Sequence, residues 1–213
     1  MVKRGLTRDV LVAVAHQYVA INGLDALTMR RLAAAAGVSP GAPYKHFRDR
    51  KDLQRSMADA IYATIDLSDI DVAKPSITQV KDCCRRMRAA MLAFRDGGRI
   101  IAGTYAPLPA TLKLSATLAT LLNAVTAPLH SPGQLAALLR SYTTGFVIDE
   151  QAYLELKASD EWDELVGQIN EAGGHQRPSD TDDLIAVLTG DRDQRFDSGL
   201  DMILTGLVRT ATT

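Results

Sequence analysis

Thr28, Arg30, Ser39, Tyr44, Lys45, His46 and Lys51 gather cationic and hydrogen-bonding side chains into one short stretch, with Gly41 and Ala42 between them. Such groups suit double-stranded DNA, where cations attract phosphates and polar tips meet phosphate oxygens or base edges. Gly41 and Ala42 lack bulk, so the backbone there can approach closely, and the Ala42 methyl can touch a thymine methyl. Tyr44, Lys45 and His46 are expected on phosphates, with Lys45 also able to reach a base. Lys51 adds attraction to the backbone. Thr28, at the head of a helix, suits a phosphate beside the free N–H groups.

Positioning those side chains takes two short helices and a tight turn. Thr28 is a good N-cap for the first, and Leu27 and Leu32 are spaced for a hydrophobic staple. Ala33 to Ala36 keep that helix thin, and Gly37 permits the turn. Ser39 then caps a recognition helix over about 40–46, with Pro40 at its first position, where a missing N–H costs nothing. This pattern predicts a helix-turn-helix. A preceding helix carries Leu11, Val14, Tyr18 and Ile21 on one face and ends at Asn22-Gly23. Phe47 is expected in the core of this head, and Asp49 caps a further helix with Leu53, Met57 and Ile61 in one stripe.

The formal net charge of −1 over 213 residues argues against a protein that coats nucleic acid along its whole length. Its distribution is more informative. Residues 1–60 hold ten Lys/Arg against five Asp/Glu, and the remainder holds fourteen against twenty. A basic head on an acidic body concentrates phosphate attraction in one place. Cys83 and Cys84 are neighbours without a CxxC or a flanking histidine, so neither a disulfide framework nor a zinc site is expected. The first residues lack a secretory pattern, and no run approaches the ~18–20 apolar residues of a membrane span. A cytoplasmic protein with no membrane partner is expected. Nucleophile-elbow, HExxH and phosphate-cradling glycine motifs are missing from the sequence, so the chain does not read as an enzyme.

Helical periodicity runs through nearly every segment and strand alternation through none, which predicts an all-α fold. The Asp-rich segment from Asp66 to Ser76 is the best boundary. After it, Ile77, Val80, Cys84, Met87, Met91 and Phe94 form an apolar seam on a long helix that Asp96-Gly97-Gly98 terminates. Further helices are expected near 108–125 and 132–157, a loop over 159–181, and a last helix near 193–211.

Over residues 6–62 the chain resembles the tetracycline-repressor (TetR) family of transcription regulators. The residues that carry the resemblance are Leu24-Asp25-Ala26-Leu27-Thr28, Arg30-Arg31-Leu32-Ala33, Gly37-Val38-Ser39, Tyr44-Lys45-His46-Phe47 and Lys51-Asp52-Leu53. The remainder is similar to the regulatory domain of tetracycline repressors through Arg95-Asp96-Gly97, Gly103-Thr104, Thr144-Gly145-Phe146-Val147, Asp149-Glu150-Gln151, Gly199-Leu200 and Gly206-Leu207. The resemblance implies a helix-turn-helix head over 1–48 and a ligand-binding and dimerisation body over 49–213, with 49–66 as the connecting helix. It also implies a homodimeric repressor on a palindromic DNA operator. An effector bound in the body would change the separation of the two heads, which must meet major grooves ~34–36 Å apart. Arg30 matches a position from which such regulators reach a guanine, whereas Pro43 replaces a commoner aliphatic residue.

Tetracycline repressors hold magnesium partly through histidines. At the matching positions this chain has Ile101 and Ser141, and other polar positions become Cys83, Met87 and Thr117. Thr104 and Asp149 alone keep similar chemistry. No metal or cofactor is therefore expected. The predicted pocket is apolar, drawn from Cys83, Met87, Met91, Phe94, Thr104, Thr117, Leu121, Ser141, Tyr142, Phe146 and Asp149, and suits a small hydrophobic effector. Any one residue of a Met/Phe stripe equally fits packed core. Leu135, Leu139, Phe196, Leu200, Ile203 and Leu207 are the candidates for the dimer seam. A fixed DNA-bound or protein-interaction dimer that senses no ligand is the alternative reading.

Overall fold

Thr7 opens the first helix, α1 (Arg8–Asn22), where its side-chain oxygen accepts from the Val10 N–H, a donor that a helix start leaves free. Gly23 closes the helix at φ +78°, and its N–H donates to the Val19 carbonyl. The structure, a computed structural model, describes residues 5–126, 131–173 and 185–209. The face that α1 buries differs from the expected one. Leu11, Val12, Ala15 and Val19 are buried, Val14 and Tyr18 lie at the border, and Ile21 is 78% exposed. The reason is that α1 lies against two neighbours, α2 (Met29–Ala35) and α3 (Arg50–Ala63), and turns its face toward both.

Thr28 caps α2 by accepting from the Arg31 N–H, and Leu27 and Leu32 are both fully buried beneath it. Gly37 makes the turn at φ +66°. The next segment departs from the α-helix expected over 40–46. Pro43 has no N–H to donate, and the Ser39 carbonyl accepts from the Ala42 N–H at 2.9 Å. The Lys45 and His46 N–H groups close equally short loops onto Ala42 and Pro43, which leaves a single 3-10 turn, Pro43–Lys45, that no side chain caps. Asp49 caps α3 through the Asp52 N–H. Leu53, Met57 and Ile61 on that helix have no exposed surface, and each contributes about 1.5–3 kcal/mol of burial.

The body is built around α4 (Ile77–Leu92), capped by Ser76 and buried along Val80, Cys84, Met87 and Met91. After it Asp96 takes a left-handed conformation, φ +58°, and starts the short helix α5 (Gly97–Ile101); it does not simply end α4. Two long helices that begin with proline, α6 (Pro109–Val125) and α7 (Pro132–Ala158), pack on α4. α8 (Trp162–Gly173) stands where a loop was expected over 159–181, of which 174–181 lie outside the described residues. Its acidic first turn and the spacing of Leu165, Val166 and Ile169 account for it, and buried Trp162 packs edge-on against Tyr153 at 4.6 Å. The last helix is α9 (Arg192–Arg209).

Arg88 ties three of these helices together. From α4 it holds Glu150 of α7 through two hydrogen bonds of 2.5 and 2.7 Å, and it reaches Asp193 of α9 at 2.6 Å. Arg88 and Glu150 are both largely buried, so removing Arg88 would strand the Glu150 charge at a cost of about 3–5 kcal/mol. Among the described residues every regular element is helical, and no helix is long and apolar enough to cross a membrane.

The turn into α5 leaves no room for side chains. A Cβ at Gly97 would lie 2.0 Å from the Met91 carbonyl oxygen, whereas one at Gly167, inside α8, would meet nothing within 4 Å. Gly97→Ala is expected to destabilise the fold by about 2 kcal/mol or more in chemical denaturation. Gly167→Ala should stabilise it by about 0.5–1 kcal/mol. Equal effects would show that the close approach is not needed.

Candidate nucleic-acid interface and body cavity

The head divides its cations into two sets. Arg8 lies over the Phe47 ring at 4.3 Å, donates to the His46 carbonyl and reaches Ser56 and Asp52. Arg31 donates to the Ala26 carbonyl, Arg48 pairs with Asp52, and Arg50 donates to the Leu24 carbonyl. These four hold the head together. Arg30, Lys45 and Lys51 are exposed and enter none of the ion pairs formed among the described residues. Tyr44 is 57% exposed, while Pro43 and Phe47 beside it are buried.

The 3-10 turn therefore anchors on Pro43 and Phe47 and presents Tyr44 and Lys45 outward. Gly41 is exposed with open space around it, Ala42 and His46 are half-exposed, and Ser39 is exposed. Thr28 uses its side chain as a cap but remains exposed at the start of α2. The structure thus collects Thr28, Arg30, Ser39, Gly41, Ala42, Tyr44, Lys45 and His46 on α2 and the turn after it, with Lys51 following on α3. The internal role of Arg8 was not legible in the sequence, where its distance from Phe47 hides it.

In the body, a cavity of about 460 Å³ lies between α3, α4, α6, α7 and the segment 105–107. Its walls include Tyr62, Met87, Tyr105, Thr111, Leu114, Leu118, Ala136 and Arg140. A second cavity of about 300 Å³ shares Tyr105 and Arg140 and adds Thr104, Ser141 and Thr144. Of the residues expected to line a pocket, Met87 lines the larger cavity, and Thr104 and Ser141 line the smaller. The others lie elsewhere. Cys83, Met91 and Leu121 are packed in the core. Phe94 packs on His16 at 4.6 Å, and the Thr117 hydroxyl donates to the Lys113 carbonyl. Tyr142 and Phe146 form an aromatic cluster with Phe196, whose carbonyl accepts from the Tyr142 hydroxyl at 2.9 Å. Asp149 is exposed.

Burial pushes the Cys83 thiol up to about 11 and that of Cys84 to about 12, so both stay protonated and unreactive. Magnesium needs several converging oxygen ligands. Ile101 is buried among apolar residues, and no three His, Cys, Asp or Glu side chains converge among the described residues. The residues present do not fit the magnesium ion that a tetracycline site would carry.

Head and cavity meet through α5. The buried Asp96 carboxylate accepts from the Leu24 N–H at 2.8 Å and from Arg99 at 2.9 Å. Arg99 also grips Asp25 through two 2.8 Å contacts, and Arg95 donates to the Ile21 carbonyl at 3.0 Å. From the other side, the Gln54 amide of α3 donates to the Ile100 carbonyl at 3.1 Å. His16 of α1 joins the same junction through Met57, whose carbonyl lies 3.2 Å from its Nε2.

This arrangement, a helix-turn-helix head clasped to a helical body with a half-open cavity, is that of a one-component regulator. Residues 11–57 match the family of bacterial regulatory proteins, tetR family, and residues 75–211 match the tetracyclin repressor-like C-terminal domain. The chain belongs to the tetR family, whose members are ligand-responsive DNA-binding repressors. It is 29% identical to the class C tetracycline repressor protein of Escherichia coli over 211 residues, covering 98% of this chain and 93% of the relative. Among solved structures it is similar to a possible TetR family transcriptional regulator from Streptomyces coelicolor A3(2). That match has a TM-score of 0.81 and 29% identity, and covers 95% of this chain and 99% of the other. It is also similar to Streptomyces coelicolor ActR, solved in complex with (S)-DNPA, with a TM-score of 0.78 and 25% identity over 97% of this chain and 99% of ActR.

Two tests address the junction. Asp96→Asn keeps an acceptor for the Leu24 N–H and tolerates the left-handed backbone, so it should cost little. Asp96→Ala loses both, and a destabilisation of about 2–4 kcal/mol is expected in urea unfolding. Burial also lowers the pKa of His16 from 6.5, opposed in part by Met57. Its folded-state value lies below its unfolded one, so the unfolded chain takes up the proton first as pH falls. Stability should decline as pH falls through and below the unfolded value of 6.5, and decline less in His16→Gln. Parallel pH profiles would remove His16 from the explanation.

Proposed function

We propose that the protein is a homodimeric repressor that reads a palindromic DNA operator with one head per protomer and leaves it when an effector fills the body cavity. The observation that carries this reading is the division of the head's cations. Arg8, Arg31, Arg48 and Arg50 close on the protein itself, while Arg30, Lys45 and Lys51 are left for phosphates and bases. Arg30 on α2 is assigned the base contact, Tyr44, Lys45 and His46 the phosphates around it, and Thr28 and Lys51 the flanking backbone. Ser39, Gly41 and Ala42 give the turn its low profile. The head is taken to run to about residue 48, with α3 as the connection to the body.

Leu135, Leu139, Phe196 and Leu200 are buried within the chain, and the side chain of Leu207 lies outside the described residues. The seam between protomers is therefore assigned to outward residues of the same two helices, Leu138 and Met202, together with half-buried Ile203. A two-fold axis through α7 and α9 lets one surface serve both copies. The wall of the cavity supports the switching step. Thr104 and Tyr105 follow α5 after two intervening residues, and α5 with its N-cap Asp96 holds Leu24 and Asp25 of the head. An effector that repositions this segment acts on the angle of the head. Such a protein works in the cytoplasm, where its operator is.

Mobility-shift titration on the DNA flanking its own gene checks the assignment. Arg30→Ala and Lys45→Ala should both weaken binding, and Lys45→Ala should reduce the salt dependence by about one counter-ion. Arg30→Ala should in addition relax preference at one base pair by ~1–3 kcal/mol. Wild-type affinity in both variants would remove the groove-reading role.

A further inference from the structure

Two polar groups in the wall of the larger cavity lack the partners that such groups normally have. Tyr62 is 4% exposed, and its hydroxyl is buried without a hydrogen-bond partner. A buried hydroxyl in that state carries its full desolvation cost, so native structures rarely leave one unmatched. Burial pushes the phenol up to about 12 against the nearby charge of Arg140, so at neutral pH it is a proton donor. Arg140, half-buried on α7, faces both cavities and makes no ion pair or side-chain hydrogen bond among the described residues.

The arginines of α4 and α5 show how unusual this is. Arg85 holds Asp197, Arg86 holds Asp69, Arg88 holds Glu150, and Arg99 holds Asp25 and Asp96. The acids around the cavity are already engaged or face away. Asp59, on the same helix as Tyr62, accepts at 2.7 Å from both the N–H and the hydroxyl of Thr111. Glu150 is taken by Arg88, and Asp149 points to solvent. The rest of the wall is largely apolar, with Met87, Leu114 and Leu118.

We propose that the cavity selects an organic anion, whose apolar body lies against Met87, Leu114 and Leu118 and whose anionic oxygen is held by the Arg140 guanidinium and the Tyr62 hydroxyl. This rests on the reading of the cavity as the effector site and narrows the hydrophobic effector expected from the sequence to one with an acidic head. A guanidinium supplies a planar pair of donors that matches a carboxylate, and an ionised acceptor roughly doubles the strength of each bond. A neutral ligand of the same shape would leave the Arg140 charge unmatched in a half-buried wall.

The test uses two fluorescent probes of nearly equal shape, 9-anthracenecarboxylate and the neutral 9-anthracenemethanol, titrated into the full chain. The wild type should bind the carboxylate about 10-fold or more tightly than the alcohol. Arg140→Gln should abolish that preference, and Tyr62→Phe should reduce it several-fold. Ala137→Trp, which fills the cavity from an exposed wall position, should remove binding of both. Without probe, Tyr62→Phe should unfold at the same or a higher temperature than the wild type, because its hydroxyl makes no bond to lose. A lower unfolding temperature would mean that the hydroxyl is structural and would overturn its role. Equal binding of both probes, a preference that survives Arg140→Gln, or no binding of either probe would overturn the proposal. Mobility shift on the operator keeps the two readings apart. Selective binding that leaves DNA bound supports the anion site and overturns the cavity as the effector site. Release of DNA by the alcohol alone does the reverse.

Discussion

The carboxylate of Asp96 is the point on which the two halves of the molecule depend. It is buried, it belongs to the body, and it accepts the Leu24 N–H at the start of the head's first connection. That N–H follows the Gly23 that stops α1, where no helical carbonyl is available to it. Asp96 supplies the missing acceptor across the junction. The same residue sits in the left-handed region, where its short polar side chain is one of the few that tolerate the backbone. Local conformation and long-range contact are therefore met by one residue, and beside it a Cβ at Gly97 would strike the Met91 carbonyl and one at Gly98 would crowd Ile148 of α7.

From that point the charges organise outward. Arg99 bridges Asp96 and Asp25, Arg95 reaches the carbonyl end of α1, and Arg88 fixes α4 to α7 and α9. The exposed pair of Arg99 and Asp25 adds little energy on its own, since solvent screens it. Its value is directional, because it fixes which face of α5 meets the head. The buried pair of Arg88 and Glu150 behaves differently, and its two bonds set the spacing of the helices around the body's core.

Features that rest on local chemistry were legible in the sequence. Thr28 and Asp49 cap the helices they precede, and the seam from Val80 to Met91 is buried along its length. Caps and periodicity depend on residues a few positions apart, which a sequence displays directly. The 3-10 turn at Pro43–Lys45 was harder to read. A proline is tolerated in a first turn and disruptive further in, and which applies depends on how Pro43 and Phe47 seat in the core. The cavity was the least legible part. A helical stripe identifies an inward face but not whether that face meets another side chain or a void. Met87 faces the void and Met91, one turn away, does not. Tyr62 and Arg140 come together from helices that only tertiary packing joins.

The segment 102–107 forms a wall of both cavities, yet most of its residues face solvent, with Tyr105 78% exposed. Substitutions there cost little core, in contrast to the crowded turn at Asp96–Gly98 only a few residues earlier. The exposed cavity wall and the turn that holds the head are thus adjacent but separable stretches of chain. A lineage could reshape the first by drift without disturbing the second.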